Sequence, residues 1–325
     1  MNFINNFKEQ LFNITPSSFE EKALELFYYQ SQNNSIYKEY LKFLKVDSNA
    51  IKSLVQIPFL PIEFFKYHKV ITGQNVYSHV FLSSGTTSQE RSKHYVKDIP
   101  FYEKVAETIF NSFYGNLTDY TLLALLPSYQ ENPQSSLISM IDYFIKMSND
   151  SNSGYINADF KGIEKLLKKK PVILFGVTYA LLDFAQQNKE NLKDLIVIET
   201  GGMKGKREEM PKEQFHDVLK NTLGINSVHA EYGMTELLSQ AYSKGDGIYE
   251  CPPWMKIFIR EINDPFTINN NLKSGGGVNI IDLANADSCA FIETKDIGSR
   301  LNGERFKIMG RFDNSDIRGC NLLYS

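Results

Sequence analysis

The sequence predicts an α/β fold, with a largely parallel sheet in layered lobes and a smaller β-rich part towards the C-terminus. Three observations carry this. Apolar runs at residues 121–126, 171–176 and 195–199 have the length of strands buried on both faces. Helical patterns alternate with them, as when parallel strands are joined by crossover helices. Past Gly245-Asp-Gly247, strand-like runs at 255–260, 277–281 and 290–294 are separated by turn residues, which suits antiparallel or barrel-like structure.

With 325 residues, 42% of them hydrophobic, the chain can bury a large core in two or more packed lobes. A formal net charge of −3 argues against a nucleic-acid partner. Cys251, Cys289 and Cys320 form neither a disulfide framework nor a C-x-x-C zinc pair, and they suit a reducing compartment. The N-terminus lacks the charged and apolar segments of a secretory signal. No apolar run has membrane-spanning length. A cytoplasmic protein is expected.

Taken in order, residues 1–55 read as helical. Ser17 and Glu20 have capping-box spacing, and Phe19, Ala23, Leu24, Phe27 and Tyr28 recur at helical intervals. A second helical run holds Ile36, Tyr37, Tyr40, Leu41 and Leu44. Its aromatic residues suit core packing, or the lining of an apolar pocket. Pro58 and Pro61 make 57–65 an extended connector. His68, His79 and His94 show no metal spacing and read as surface or hydrogen-bonded histidines. Helices are expected at 102–113, at 137–147, at 161–170 with a solvated basic end, and after Gly176 through Ala185. No internal repeat or low-complexity segment interrupts the pattern.

Leu82-Ser-Ser-Gly-Thr-Thr-Ser88 gathers five hydroxyl side chains around Gly85. Hydroxyls, backbone N–H groups and a permissive glycine suit a loop folded around phosphate oxygens, although the same residues make ordinary polar turns. Lys93 follows as a charge partner. The run lacks the spacing of a Walker P-loop. Ligands of parallel sheets lie beyond the strand C-termini, and two further polar loops are expected there. Glu199-Thr-Gly-Gly-Met-Lys-Gly-Lys206 has glycines that let a flat ligand approach the backbone, or that serve turn geometry. His229-Ala-Glu-Tyr-Gly-Met-Thr-Glu-Leu237 follows a short strand expected at 225–229. In it Thr235 offers a hydroxyl to phosphate, and Glu236 a carboxylate to a hard cation such as Mg²⁺.

In this order, three stretches resemble motifs of the adenylate-forming superfamily. Ser83-Ser-Gly-Thr-Thr87 is similar to its phosphate loop and Tyr232-Gly-Met-Thr-Glu236 to its Y-G-x-T-E motif. Gly310-Arg-Phe-Asp313 with Arg318-Gly319 is similar to its hinge. Within the superfamily, residues 57–65, the Ser92-Lys-His94 ending and residues 231–241 most resemble the LuxE-type acyl-protein synthetases. Those are synthetase subunits of bacterial fatty-acid reductase complexes, and the phenylacetate-CoA ligases are close relatives. The resemblance covers nearly the whole chain. It implies the superfamily's large N-terminal domain, ending just after the hinge and lacking the small C-terminal domain. The implied regions are a helical 1–75, an α/β ATP-binding core at 76–247, a β-rich subdomain at 248–309 and a hinge-like tail at 310–325.

By position, the resemblance implies that Ser83, Ser84, Gly85, Thr86 and Thr87 wrap the β- and γ-phosphates of ATP. Thr235 contacts a phosphate and Glu236 holds Mg²⁺. Tyr232, with Gly233 beside it, and the Gly201-Gly202-Met203 loop bracket the adenine. Asp296 takes the place of a ribose-binding aspartate, although Lys295 stands where the family usually has glycine. Arg311 reaches ribose or phosphate. The superfamily's adenylation lysine belongs to its C-terminal domain. Either Lys93 or another basic group neutralises charge here, or the first half-reaction is slow or lost. His229 joins Lys93 and Cys320 as a catalytic candidate. Cys320 lies where LuxE-type proteins carry an acyl group, and beside Leu322 and Leu323 it also reads as a packing residue.

The implied reaction converts a fatty or other carboxylic acid and ATP into acyl-AMP and pyrophosphate, then passes the acyl group to a thiol. The acceptor is Cys320, an acyl carrier protein or CoA, and an acyl reductase subunit is the implied partner. Two alternatives stay open: a CoA ligase or acyltransferase of the same fold, and a non-catalytic nucleotide-binding subunit.

Overall fold

The computed structural model describes residues 3–84, 90–127, 132–188, 192–201, 210–268, 275–302 and 304–312. The chain divides into two compact units. One combines residues up to Gln74 with those from Pro253 onward; the other is Asn75–Pro252. The N-terminal helices and the late strands therefore share a unit.

The N-terminal stretch supplies α1 (Phe3–Gln10), α2 (Phe19–Asn33), α3 (Ser35–Phe43), the short strand β1 (Leu60–Pro61) and the single turn α4 (Phe64–Tyr67). Phe19, Ala23, Leu26 and Phe27 form the buried stripe of α2. The expected capping box is not formed. The hydroxyls of Thr15, Ser17 and Ser18 bond to one another in a turn, and Glu20 instead accepts the Leu54 N–H at 3.4 Å.

Gln30 lies on the same stripe and is fully buried. Its Nε2 donates to the carbonyls of Asn285, Ala286 and Ser288 at 3.0, 3.2 and 3.3 Å, and its Oε1 accepts the Ala290 N–H at 3.0 Å. One side chain thus satisfies a whole buried turn. Gln30→Ala is expected to lower the unfolding free energy by roughly 2–4 kcal/mol, since several buried backbone groups lose their partner. An unchanged chemical-denaturation midpoint would contradict that.

The central unit opens with the hairpin β2 (His79–Leu82) and β3 (Lys93–Val96), then α5 (Ile99–Tyr114). It continues with β4 (Thr121–Leu125), α6 (Ser136–Met147), β5 (Gly154–Tyr155), α7 (Ile163–Leu167), β6 (Val172–Gly176) and α8 (Thr178–Gln187). It ends with β7 (Ile196–Glu199), α9 (Lys212–Leu223), β8 (Val228–Tyr232), β9 (Ala241–Ser243) and β10 (Tyr249–Glu250). Strands β8, β7, β6, β4 and β5 are neighbours in that order and parallel, and β9 and β10 extend the β8 edge antiparallel.

Every residue of β4 and β6 is buried, because helices cover both faces. Leu123, Val172, Leu174 and Val197 pack with Leu181, Phe215 and Leu219 of α8 and α9 on one face. On the other, Phe175 meets Phe144 of α6 with ring centroids 6.3 Å apart. The helix expected at 161–170 is only Ile163–Leu167, because Gly162 precedes it at φ +122° and the backbone tightens into turns from Lys168.

The C-terminal stretch is an antiparallel meander of β11 (Met255–Arg260), β12 (Gly276–Asp282), β13 (Phe291–Arg300) and β14 (Arg305–Arg311). β1 joins β13 in parallel through Leu60↔Ile292. No helix among the described residues is long and apolar enough to cross a membrane.

Candidate functional site

Parallel strands present their carboxyl ends on one edge, and the polar loops of the central unit leave from it. Thr200 and Gly201 follow β7, and Gly233 to Glu236 follow the adjacent β8. The strand expected at 225–229 instead runs to Tyr232. Its polar residues alternate with buried ones, so His229 and Glu231 belong to the strand rather than to the loop.

The hydroxyl loop rises from the β2–β3 hairpin. Ser83 closes its neck: its N–H donates to Ser92 O at 3.0 Å and its Oγ accepts the Ser92 N–H at 2.9 Å. Arg91 Nε donates to the Ser83 carbonyl. Ser84 is exposed above this neck, and Lys93 is exposed on β3 opposite Leu82. Gly85, Thr86 and Thr87 lie outside the described residues, as do Gly202, Met203 and Cys320.

His94 was expected at the surface or in a hydrogen bond. It is 1% exposed, and its Nδ1 lies 2.9 Å from the Thr235 carbonyl. That bond holds the neck of the hydroxyl loop against the turn carrying Thr235 and Glu236, across 141 positions of sequence. Thr235 is half-buried and Glu236 is 5% exposed. Among the described residues no group of three or more His, Cys, Asp or Glu gathers as a metal cage. One buried carboxylate beside a hydroxyl is a donor set that suits Mg²⁺, which takes one or two protein carboxylates and completes its shell from phosphates and water.

Gly201 has φ +75°, a conformation glycine adopts without strain. Its N–H donates to Glu199 Oε2 at 3.1 Å. Glu199 is buried; its Oε1 pairs with Lys212 and lies 3.7 Å from His216 Nε2. Burial alone would raise the Glu199 carboxyl, but His216 and Lys212 hold it below the usual range. Tyr232 closes β8, and its ring meets that of Tyr249 edge-on at 5.8 Å.

Strand alternation places His229 and Glu231 on the face opposite Tyr232. His229 Nδ1 lies 3.1 Å from the Tyr114 hydroxyl of α5, with the two rings stacked. Burial, then the nearby Lys244, lowers the imidazole to about 4, so it is neutral at pH 7. Glu231 is pushed up to about 8 by burial and by the Glu199 carboxylate. A carboxyl raised in the fold contributes stability that is fully present below its unfolded value of 4.5 and lost as pH rises through about 8. Glu231→Gln is therefore expected to flatten the decline in thermal midpoint from pH 4.5 to 8. An unaltered slope would place the titration elsewhere.

In the other unit, Asp296 on β13 and Arg311 on β14 are cross-strand partners. Arg311 Nε lies 3.9 Å from Asp296 Oδ1, and the Asp296 N–H donates to Thr294 Oγ1 at 3.1 Å. Gly310 and Arg311 thus lie in a strand, where the sequence suggested the start of a tail. The lysine in the family's glycine position has its own partner: Lys295 Nζ is 2.5 Å from Glu63.

A family model described as acyl-protein synthetase, LuxE, matches residues 136–325, more than half of the chain. No curated protein sequence matches. Among solved structures, 2-hydroxyisobutyryl-CoA ligase in complex with 2-HIB-AMP and CoA is similar at TM-score 0.62 and 13% identity, covering 94% of this chain and 71% of that one. ATP-bound MatB from Rhodopseudomonas palustris is similar at TM-score 0.52 and 12% identity, covering 71% of this chain. The matched region is about half of MatB, at 47% of its length. The fold is that of the large domain of adenylate-forming ligases, as the sequence predicts.

Proposed function

The chain belongs to the acyl-protein synthetase family LuxE, and from that premise we propose that it joins a carboxylic acid to a thiol through an acyl-adenylate. The observation carrying this reading is the bond from His94 to Thr235. It sets the base of a hydroxyl-rich loop beside a hydroxyl and a buried carboxylate, which is the donor set a nucleotide triphosphate with its metal requires.

ATP, the ligand of the MatB structure, is the proposed nucleotide. A carboxylate oxygen of the acid attacks the α-phosphorus, and the bond to pyrophosphate breaks. A thiolate sulfur then attacks the acyl carbon, and AMP leaves. The Ser83 to Thr87 loop and Thr235 donate to phosphate oxygens. Lys93 adds positive charge at the loop's neck. Glu236 would hold Mg²⁺, which when bound would neutralise phosphate charge. Tyr232 flanks the base with Gly201, Gly202 and Met203. Asp296 accepts from ribose hydroxyls, and Arg311 serves ribose or phosphate. His229, neutral at pH 7 and 3.1 Å from the Tyr114 hydroxyl, is proposed as the third catalytic group beside Lys93 and Cys320. Positioning and charge neutralisation supply the rate enhancement.

The acid is proposed to be fatty, the acceptor Cys320, the partner an acyl reductase subunit and the setting the cytoplasm. ATP–pyrophosphate exchange tests the first step. Straight-chain acids of increasing length are expected to support exchange, with longer chains preferred. No exchange with any acid would overturn adenylation. Exchange with short acids alone would overturn the fatty substrate.

A further inference from the structure

Lys212 occupies the first residue of α9, where the helix dipole disfavours a cation. Three contacts explain its presence there. It pairs with the buried Glu199 Oε1, its Nζ donates to the Tyr249 hydroxyl at 2.5 Å, and it lies 5.0 Å from the centre of that ring. Glu199's other oxygen holds the Gly201 N–H at 3.1 Å, and the Tyr249 ring packs edge-on against Tyr232. A single ammonium therefore links Gly201 at the end of β7 to Tyr232 at the end of the neighbouring β8. Burial alone would lower the Lys212 ammonium; Glu199 and Tyr249 more than offset it, so the group stays charged.

We propose that Lys212 is a positioning residue for the nucleotide base: through Glu199 and Tyr249 it fixes the separation of Gly201 and Tyr232, the two described flanks of the base site. This rests on the nucleotide reading given above. Neither Lys212 nor Glu199 touches the base in this scheme. A base held between a backbone segment and an aromatic ring needs that gap set, and loosening it weakens ground-state and transition-state binding alike.

The test is ATP binding by calorimetry in the absence of acid, together with steady-state kinetics. Lys212→Met is expected to raise Kd and KM for ATP by about tenfold with kcat within about twofold, and to narrow the preference for ATP over GTP. The variant leaves Glu199 as a buried charge and can lose stability for that reason alone. Glu199→Gln/Lys212→Met removes both charges and keeps an acceptor for the Gly201 N–H. It is expected to recover the thermal midpoint while the raised Kd persists. A purely structural ion pair would recover both, and that result overturns the inference. So does Lys212→Met binding ATP as tightly as wild type. A wild-type chain that binds no ATP overturns the nucleotide reading instead.

Discussion

Acid-dependent pyrophosphate exchange in Glu236→Gln is expected to fall by about a hundred- to a thousandfold, with the far-ultraviolet dichroism spectrum unchanged. Glu236 is 5% exposed and directly follows Thr235, whose carbonyl is held by His94. A carboxylate so far from water is costly to keep ionised unless charge or hydrogen bonds offset its desolvation. In the proposed site, a cation shared with nucleotide phosphates supplies such charge. Glutamine keeps the shape and the hydrogen-bonding capacity but loses the charge, so the loss falls on metal-dependent chemistry. Raising Mg²⁺ should recover part of the rate in Glu236→Asp and little in Glu236→Gln. Full activity in Glu236→Gln would remove this residue from the site.

The part of the fold that was legible is the part where every residue faces the same environment. Strands β4 and β6 are buried on both sides, so they read as unbroken apolar runs. β8 was misread because its two faces differ. Val228, Ala230 and Tyr232 are buried, while His229 and Glu231 are half-buried polar residues that resemble a loop. No sequence expectation marks α9, although Phe215, Leu219 and Leu223 have helical spacing and Gly224 caps it at φ +70°. Its first residues are charged or polar, which hides the apolar stripe.

The site divides in the same way. The hydroxyl loop and the Tyr232-to-Glu236 turn were visible as motifs because each is local. In sequence, His94 reads as an ordinary surface or hydrogen-bonded histidine. The alternation of buried Ser92, exposed Lys93, buried His94 and buried Val96 on a strand could have placed it inward. Lys212 carried no signal at all. Its partner Glu199 lies on a strand and Tyr249 on another, at separations that match no motif. Lys295 looked like a departure from the family pattern, and only the fold reveals that Glu63 stands opposite it. Charge pairs between distant segments are set by topology, and a single sequence does not display topology.

Cys320→Ser is expected to abolish hydroxylamine-labile acyl label on the protein while pyrophosphate exchange continues at the wild-type rate. The acyl acceptor must present a thiolate to the adenylate. Cys289 is fully buried, and burial pushes its thiol up to about 12, so at neutral pH it is neither ionised nor reachable. Cys251 is half-buried and precedes Pro252-Pro253, a rigid segment that restricts its movement. Cys320 lies outside the described residues, and the proposal for it rests on the resemblance, which puts the acyl-carrying cysteine at this place near the C-terminus. Serine at neutral pH is a far weaker nucleophile, and the first half-reaction makes no use of the thiol. Cys251→Ser and Cys289→Ser should both keep the label, although Cys289→Ser places a hydroxyl in an apolar core and is expected to lower the thermal midpoint. Label that survives in Cys320→Ser would transfer the acceptor role to another residue. Adenylation without any protein label in the wild type would assign it to CoA or a separate carrier thiol, and adding each of these in turn, with product thioester as the readout, would decide between them.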